Sequence, residues 1–162
     1  MSLTELLASL PDELYVFLCS MVPIIELRGA IPIGAALGLP VYVNYIISVI
    51  GNIIPVPFIL LFIRAILQWM KKVPKLNKIA VWVEEKAEKN KSKVLKYATF
   101  GLFVFVAVPL PGTGAWTGAL VAAMLDMRMK RAFPAILFGV MCAGVIMSLA
   151  SYGVLSFLSF LL

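Results

Sequence analysis

Pro109-Leu110-Pro111-Gly112-Thr113-Gly114 places two prolines and two glycines within six residues, near the middle of an uncharged stretch covering residues 97–125. Proline lacks the N–H that a helix ladder needs and glycine does little to hold one, so a single helix cannot run through this segment. About 12 residues lie on either side, or ~18 Å of helix at 1.5 Å per residue, which reaches past the middle of a ~30 Å hydrocarbon core but does not cross it. The stretch is expected to enter a membrane, turn at mid-depth and leave by the face it entered, as a re-entrant hairpin.

A membrane setting follows from composition. Of 162 residues, 62% are apolar and 14% charged, and the mean hydropathy is +1.03, whereas soluble domains carry nearly twice that charge. Four apolar blocks stand out at residues 14–39, 41–63, 97–125 and 132–162. The acidic amino-terminal segment, with Glu5, Asp12 and Glu13, lacks the positive region of a secretory signal, so the first block is read as resident structure.

The net charge of +6 comes entirely from residues 71–96, where nine lysines face Glu84, Glu85 and Glu88. A basic segment joining two membrane-length apolar runs marks the cytoplasmic side in preference to a nucleic-acid interface. After Pro74, Leu76, Ile79, Val83 and Ala87 recur at helical spacing beside Trp82. The connector is therefore read as an amphipathic helix, either resting on anionic lipid or serving only as a solvated link. Four simple crossings would put this connector and the basic group Arg128, Lys130 and Arg131 on opposite faces, against the positive-inside rule. A re-entrant third block removes the conflict.

The first block has the same form, with Pro23 to Pro32 interrupting two apolar arms. Val22-Pro23 and Val108-Pro109 lie 86 residues apart, and Gly51 and Gly139 lie 88 apart. The expected fold is an all-α integral membrane protein, a single membrane domain over residues 1–162 made of two inverted repeats. The first repeat, residues 1–70, holds a hairpin at 12–39 and a crossing helix at 41–69; residues 71–96 connect; the second, residues 97–162, holds a hairpin at 97–126 and a crossing helix at 131–161. Inverted repeats with broken elements near the midplane are characteristic of secondary transporters.

Glu26 is the one carboxylate well inside an apolar block, with Arg28 two residues on. Charge near the bilayer centre costs at least ~2.5 kcal/mol, so the pair either compensates itself as a structural salt bridge or lines a hydrated pocket. In the functional reading, which we prefer, Glu26 exchanges a proton and Arg28 holds an anionic group. Gly29, Pro32 and Asn52 join them as candidate substrate or ion contacts. In the second hairpin the candidates are Pro109, Pro111, Gly112, Thr113, Gly114, Trp116 and Thr117: hydroxyls, an aromatic face, and a half-helix start near Gly112 whose free N–H groups attract anions. Packing alone is the competing explanation for these small residues. Asn52, Asn44 and Arg64 are weaker candidates, Arg64 as a residue snorkelling to the interface.

No histidine is present, and Cys19 and Cys142 both sit in apolar runs, which removes disulfide frameworks, zinc sites and histidine proton relays. There is no phosphate-binding loop, dinucleotide fingerprint, nucleophile elbow or HExxH motif. No catalytic residue, metal or cofactor is expected, and coupling would have to come from an ion gradient.

The segments from Val22 to Gly34, containing ELRGAIP, and from Pro109 to Gly118, PLPGTGAWTG, closely resemble the putative small multidrug export protein family of prokaryotic membranes, over nearly the whole chain. That family is distantly similar to the DedA family, whose members have two re-entrant hairpins with acidic and arginine residues and are associated with lipid-carrier translocation and proton-dependent stress resistance. Here the arginine lies in the first hairpin rather than the second.

Residues and resemblance together imply a small transporter of the prokaryotic cytoplasmic membrane, proton- or ion-coupled. It would export small amphipathic or drug-like molecules through a mid-membrane site between the two hairpins. The alternatives are a DedA-like flippase or scramblase for anionic lipid headgroups and a non-transporting scaffold. Expected partners are membrane lipids, a small-molecule or lipid substrate and further copies of the chain in a homo-oligomer, with no nucleic acid.

Overall fold

The computed structural model describes residues 10–62, 97–110 and 112–161. The basic connector, Arg64 and Pro111 lie outside the described residues. Among the described residues there are six helices and no strands: α1 Asp12–Met21, α2 Glu26–Ala36, α3 Val41–Phe62, α4 Tyr97–Ala107, α5 Ala115–Met124 and α6 Met129–Leu161.

The α1 helix starts after Pro11 with Asp12 and Glu13 in its first turn, where carboxylates favour the helix dipole. It stops at Met21 because Val22 precedes Pro23 and is held extended, at ψ 130°. The irregular segment is shorter than the sequence suggested. Only residues 22–25 leave the helix, and Pro32 sits inside α2. A proline there costs one donor, the one that would serve the Arg28 carbonyl, and the rest of the ladder carries the helix.

The ends of α2 and α5 share one geometry. Gly38 has φ 81°, its N–H reaches the Ala35 carbonyl, and the Leu39 N–H reaches the Gly34 carbonyl. At a spacing of 88 residues, Asp126 has φ 49°, its N–H reaches Ala123, and the Met127 N–H reaches Ala122. This left-handed cap favours glycine, and aspartate is among the few side chains that tolerate it.

The described residues fall into two compact units: residues 10–54 with 140–161, and residues 55–139. In the first, Val16, Cys19, Ala30 and Leu39 form the core, with Tyr15, Ile25, Ile33 and Ile47 against it. Close approach of α1 and α3 depends on Gly51. A Cβ there would collide with the Ser20 hydroxyl and lie 2.7 Å from the Phe17 carbonyl oxygen. Within the second unit, a Cβ on Gly139 would lie 2.7 Å from the Val106 Cβ and 3.0 Å from the Phe103 carbonyl oxygen. Phe17 and Phe103 are 86 residues apart, Gly51 and Gly139 88.

Gly51→Val is accordingly expected to destabilise the protein by about 1–3 kcal/mol through overpacking, seen as a lower Tm in detergent. Gly101→Ala, where an added Cβ meets nothing within 4 Å, should be neutral or stabilising by up to about 1 kcal/mol.

Among the described residues, 41–62 and 129–154 form two helices long and apolar enough to cross a membrane, with only 28% and 44% of their most apolar windows buried inside the protein. Side chains such as Ile46, Ile50, Phe138 and Leu149 remain exposed. A soluble protein would bury most of such helices; a bilayer covers them instead.

Candidate functional site

Glu26 opens α2 with φ 50°, a left-handed conformation rarely adopted by a side chain of this size. Its N–H is satisfied by the Val22 carbonyl at 2.8 Å, which closes the turn. The side chain is 5% exposed, so the hairpin carries a carboxyl group inside the protein at its turn. Arg28, two residues on in the same first turn of α2, is half-buried, and the Glu26 carboxylate acts on it electrostatically. Gly29 and Pro32, also on α2, are half-buried.

The level of Glu26 along the bundle can be worked out from its neighbours. Asn44 of α3 donates to the Ile31 carbonyl at 2.8 Å and packs against Gly34. From that crossing, Asn52 lies eight residues along α3 and Glu26 five to eight residues along α2, or ~12 Å and ~8–12 Å of helix rise. Ser20, at the end of α1, lies beside Gly51. Ser20, Glu26, Gly51 and Asn52 therefore occupy one level of this unit, and all four are buried.

Asn44, Ser48 and Asn52 follow one another at four-residue spacing on α3 and are each 0% exposed. Asn44 also donates to the Tyr152 hydroxyl at 3.0 Å and accepts from Ser48 at 3.3 Å, while Tyr152 donates to the Leu39 carbonyl at 2.6 Å. This polar stripe has no counterpart 88 residues later, where Ala132, Ile136 and Val140 are equally buried. Of the stripe, the sequence points to Asn44 and Asn52 only as weaker candidates and does not single out Ser48 or Tyr152. The i, i+4, i+8 spacing of Asn44, Ser48 and Asn52 was the signal that could have found it.

The second hairpin turns between Ala107 and Ala115, with φ 79° at Gly112 and 144° at Gly114. Its returning helix starts at Ala115 rather than near Gly112. Thr113 Oγ1 donates to the Val108 and Leu110 carbonyls at 2.9 Å each, so this hydroxyl caps the broken backbone. Pro109 and Thr117 are half-buried. Trp116 lines an open apolar pocket of about 550 Å³ with Phe58, Ile59, Leu61 and Phe62. Among the described residues no group of three or more acidic, cysteine or histidine side chains is placed to hold a metal.

No curated protein and no solved structure was found to match the chain. The family described as "Putative small multi-drug export protein" matches residues 26–146, three quarters of the sequence. The match begins at the buried glutamate and takes in Gly51 and Gly139, the glycines at which neighbouring segments approach the two long helices, and the chain belongs to that family.

Proposed function

We propose that the protein is a small exporter of amphipathic, drug-like molecules, driven by the proton gradient across a prokaryotic cytoplasmic membrane, with Glu26 carrying the coupling proton. The observation that carries this reading is the placement of Glu26, buried at the turn of a short helical hairpin; helix-rise arithmetic sets that turn near the middle of a helix long and apolar enough to cross a membrane. The family is named for export and not for catalysis.

In this reading the hairpins are re-entrant. The α1 and α2 helices have 10 and 11 residues, or ~15–17 Å, about half the hydrocarbon thickness. Asn52, level with their turn, is the twelfth of 22 residues in α3, so the turn falls near the midplane. The halves are an internal repeat in which the same caps and glycine contacts recur at 86–88 residues. At the position corresponding to Glu26 at that spacing, the second half has Gly112 or Gly114, each with positive φ. A glutamate occupying a glycine conformation inside a membrane has two costs, one in the backbone and one in solvation. A proton-exchange role accounts for bearing both.

The half-buried Arg28 beside it would hold an anionic group of the substrate or restrain the Glu26 charge between turnovers. The test is proton-driven efflux of ethidium from proteoliposomes by wild-type protein and by Glu26→Gln; unchanged efflux in the variant removes the assigned role.

The topology has its own test. With the basic connector inside, two hairpins and two crossings place both termini outside, whereas four simple spans place both inside. A carboxyl-terminal alkaline phosphatase fusion is expected to be active and a green fluorescent protein fusion dark. The reverse pattern would contradict the re-entrant reading.

A further inference from the structure

Both polar atoms of the Asn52 carboxamide are buried and find no hydrogen-bond partner among the described residues. Buried amides are normally satisfied, and one that is not points to a second arrangement in which it is. Whatever completes it must bring together a donor for Oδ1 and an acceptor for the N–H₂. Its uncharged neighbours do not. Ser20 gives its hydroxyl proton to the Phe17 carbonyl at 2.6 Å, and Ser48, one turn away on α3, gives its own to Asn44 Oδ1 at 3.3 Å. The Gly51 carbonyl can only accept.

Glu26 is the fourth member of that level, and its chemistry depends on a proton. As a carboxylate it only accepts, and its attraction is to Arg28, on which it acts electrostatically. As a carboxylic acid it is neutral, so that attraction goes, and it presents one O–H donor beside one C=O acceptor. A carboxamide is the complement of this group, donor to acceptor and acceptor to donor. The other charged residues described in this unit, Asp12 and Glu13, begin α1 at the end away from the turn. Its remaining titratable groups are engaged elsewhere or exposed. Tyr15 and Cys19 on α1 are hydrogen-bonded to each other, Tyr45 and Tyr152 donate to the Met141 and Leu39 carbonyls, and Tyr42 and Cys142 are exposed.

We infer that Asn52 is the partner of the protonated Glu26: on taking up its proton the carboxyl turns from Arg28 to Asn52, its O–H donating to Asn52 Oδ1 and its C=O accepting from the Asn52 N–H₂. Asn52 is thus a positioning residue for the coupling proton, unsatisfied while the carboxylate faces Arg28 and satisfied at both atoms once the proton is loaded. Both side chains are buried, so neither has bulk solvent as an alternative partner. The inference deepens the exporter reading and rests on it for the use of the proton. It is measured without transport, so either can fail while the other stands.

The test is a cycle of thermal melts on purified full-length protein in detergent, with Glu26→Gln, Asn52→Leu and the double variant. Glutamine offers a donor and an acceptor at the same end of the side chain as the protonated acid. In alkaline buffer, with Glu26 charged, Asn52→Leu is expected to leave the Tm unchanged or raise it, because it removes an unsatisfied amide. In the Glu26→Gln background the same substitution should lower the Tm by about 2–4 °C, the loss of a hydrogen-bonded pair in a chain of this length. Equal shifts in the two backgrounds would overturn the inference. A second measurement keeps Glu26 itself. In acid-minus-alkaline infrared difference spectra, the C=O stretch of the buried carboxylic acid should move to higher wavenumber in Asn52→Leu as its hydrogen bonds are lost, and a band at the wild-type position would equally overturn the pairing.

Discussion

Glu26→Gln is expected to abolish proton-driven ethidium efflux while leaving the protein folded, and Glu26→Gly to abolish it while raising the Tm. Glutamine keeps the size and hydrogen-bonding capacity of the side chain but cannot exchange a proton, so the turn persists and coupling stops. Glycine goes further. At φ 50° a glutamate backbone is strained by about 1 kcal/mol, and glycine adopts the same conformation freely. Removing a 5%-exposed carboxyl also removes a desolvation cost that begins at about 2.5 kcal/mol for a charge near the bilayer centre.

Against these gains stand lost packing and the lost attraction to Arg28. A net rise in stability with no transport is the expected outcome. Asp126→Gly provides the control: it relieves the same conformation, φ 49°, at an exposed position, and should raise stability by up to about 1 kcal/mol with efflux unchanged. If Glu26→Gly lowers the Tm by several degrees instead, Glu26 is a structural member of the turn and the exporter assignment loses its main support. Circular dichroism melts in detergent and efflux from proteoliposomes read the two properties separately.

The helix break and the buried carboxylate could be read from the chain. Pro109, Gly112 and Gly114 announced a helix break because proline and glycine act locally, through a missing donor and a missing Cβ. Glu26 drew notice because a carboxylate inside an apolar block is costly wherever the block lies. Pro32 misled because its cost depends on position. Here it deprives only the Arg28 carbonyl, in the first turn of α2, and the helix continues. The repeated cap was hidden by chemistry: Leu37-Gly38-Leu39 and Leu125-Asp126-Met127 share a backbone conformation but not a residue type at its centre.

The polar stripe on α3 is a different case. Asn44 and Asn52 were visible as polar residues, but their importance lies in where they are buried and in whether each is satisfied. Asn44 has partners on α2, α3 and α6, and Asn52 has none among the described residues. Two identical side chains two turns apart thus differ in environment, one holding the unit together and the other buried with no side-chain partner among the described residues. Tyr152 is 108 residues from Asn44, and no local pattern reports a pairing at that distance.

The structural half of that contrast gives the second large effect. Asn44→Leu is expected to lower stability by about 2–4 kcal/mol. Its carboxamide makes three hydrogen bonds, to the Ile31 carbonyl, the Tyr152 hydroxyl and the Ser48 hydroxyl. Between membrane helices such bonds contribute about 0.6 kcal/mol on average and up to about 1.7. Leucine also leaves the Ser48 hydroxyl without the acceptor at 3.3 Å and crowds Gly34, where even a Cβ would lie 2.5 Å from Asn44 Cγ.

A double-mutant cycle with Tyr152→Phe separates the tie between α3 and α6 from the rest. Phenylalanine removes both the acceptor for Asn44 and the donor to the Leu39 carbonyl, and the coupling should be about 0.5–1.5 kcal/mol. Zero coupling would mean that the two side chains are neighbours without joint effect. The fold itself does not demand an asparagine at this register, since Ala132 occupies the matching buried position 88 residues on. The asparagine fixes α2 and α6 around α3 in the unit that carries Glu26, so Asn44→Leu should also blunt efflux in the fraction that remains folded. Ser148→Ala serves as the comparison: its buried hydroxyl finds no partner among the described residues, and its loss should cost less than about 0.5 kcal/mol.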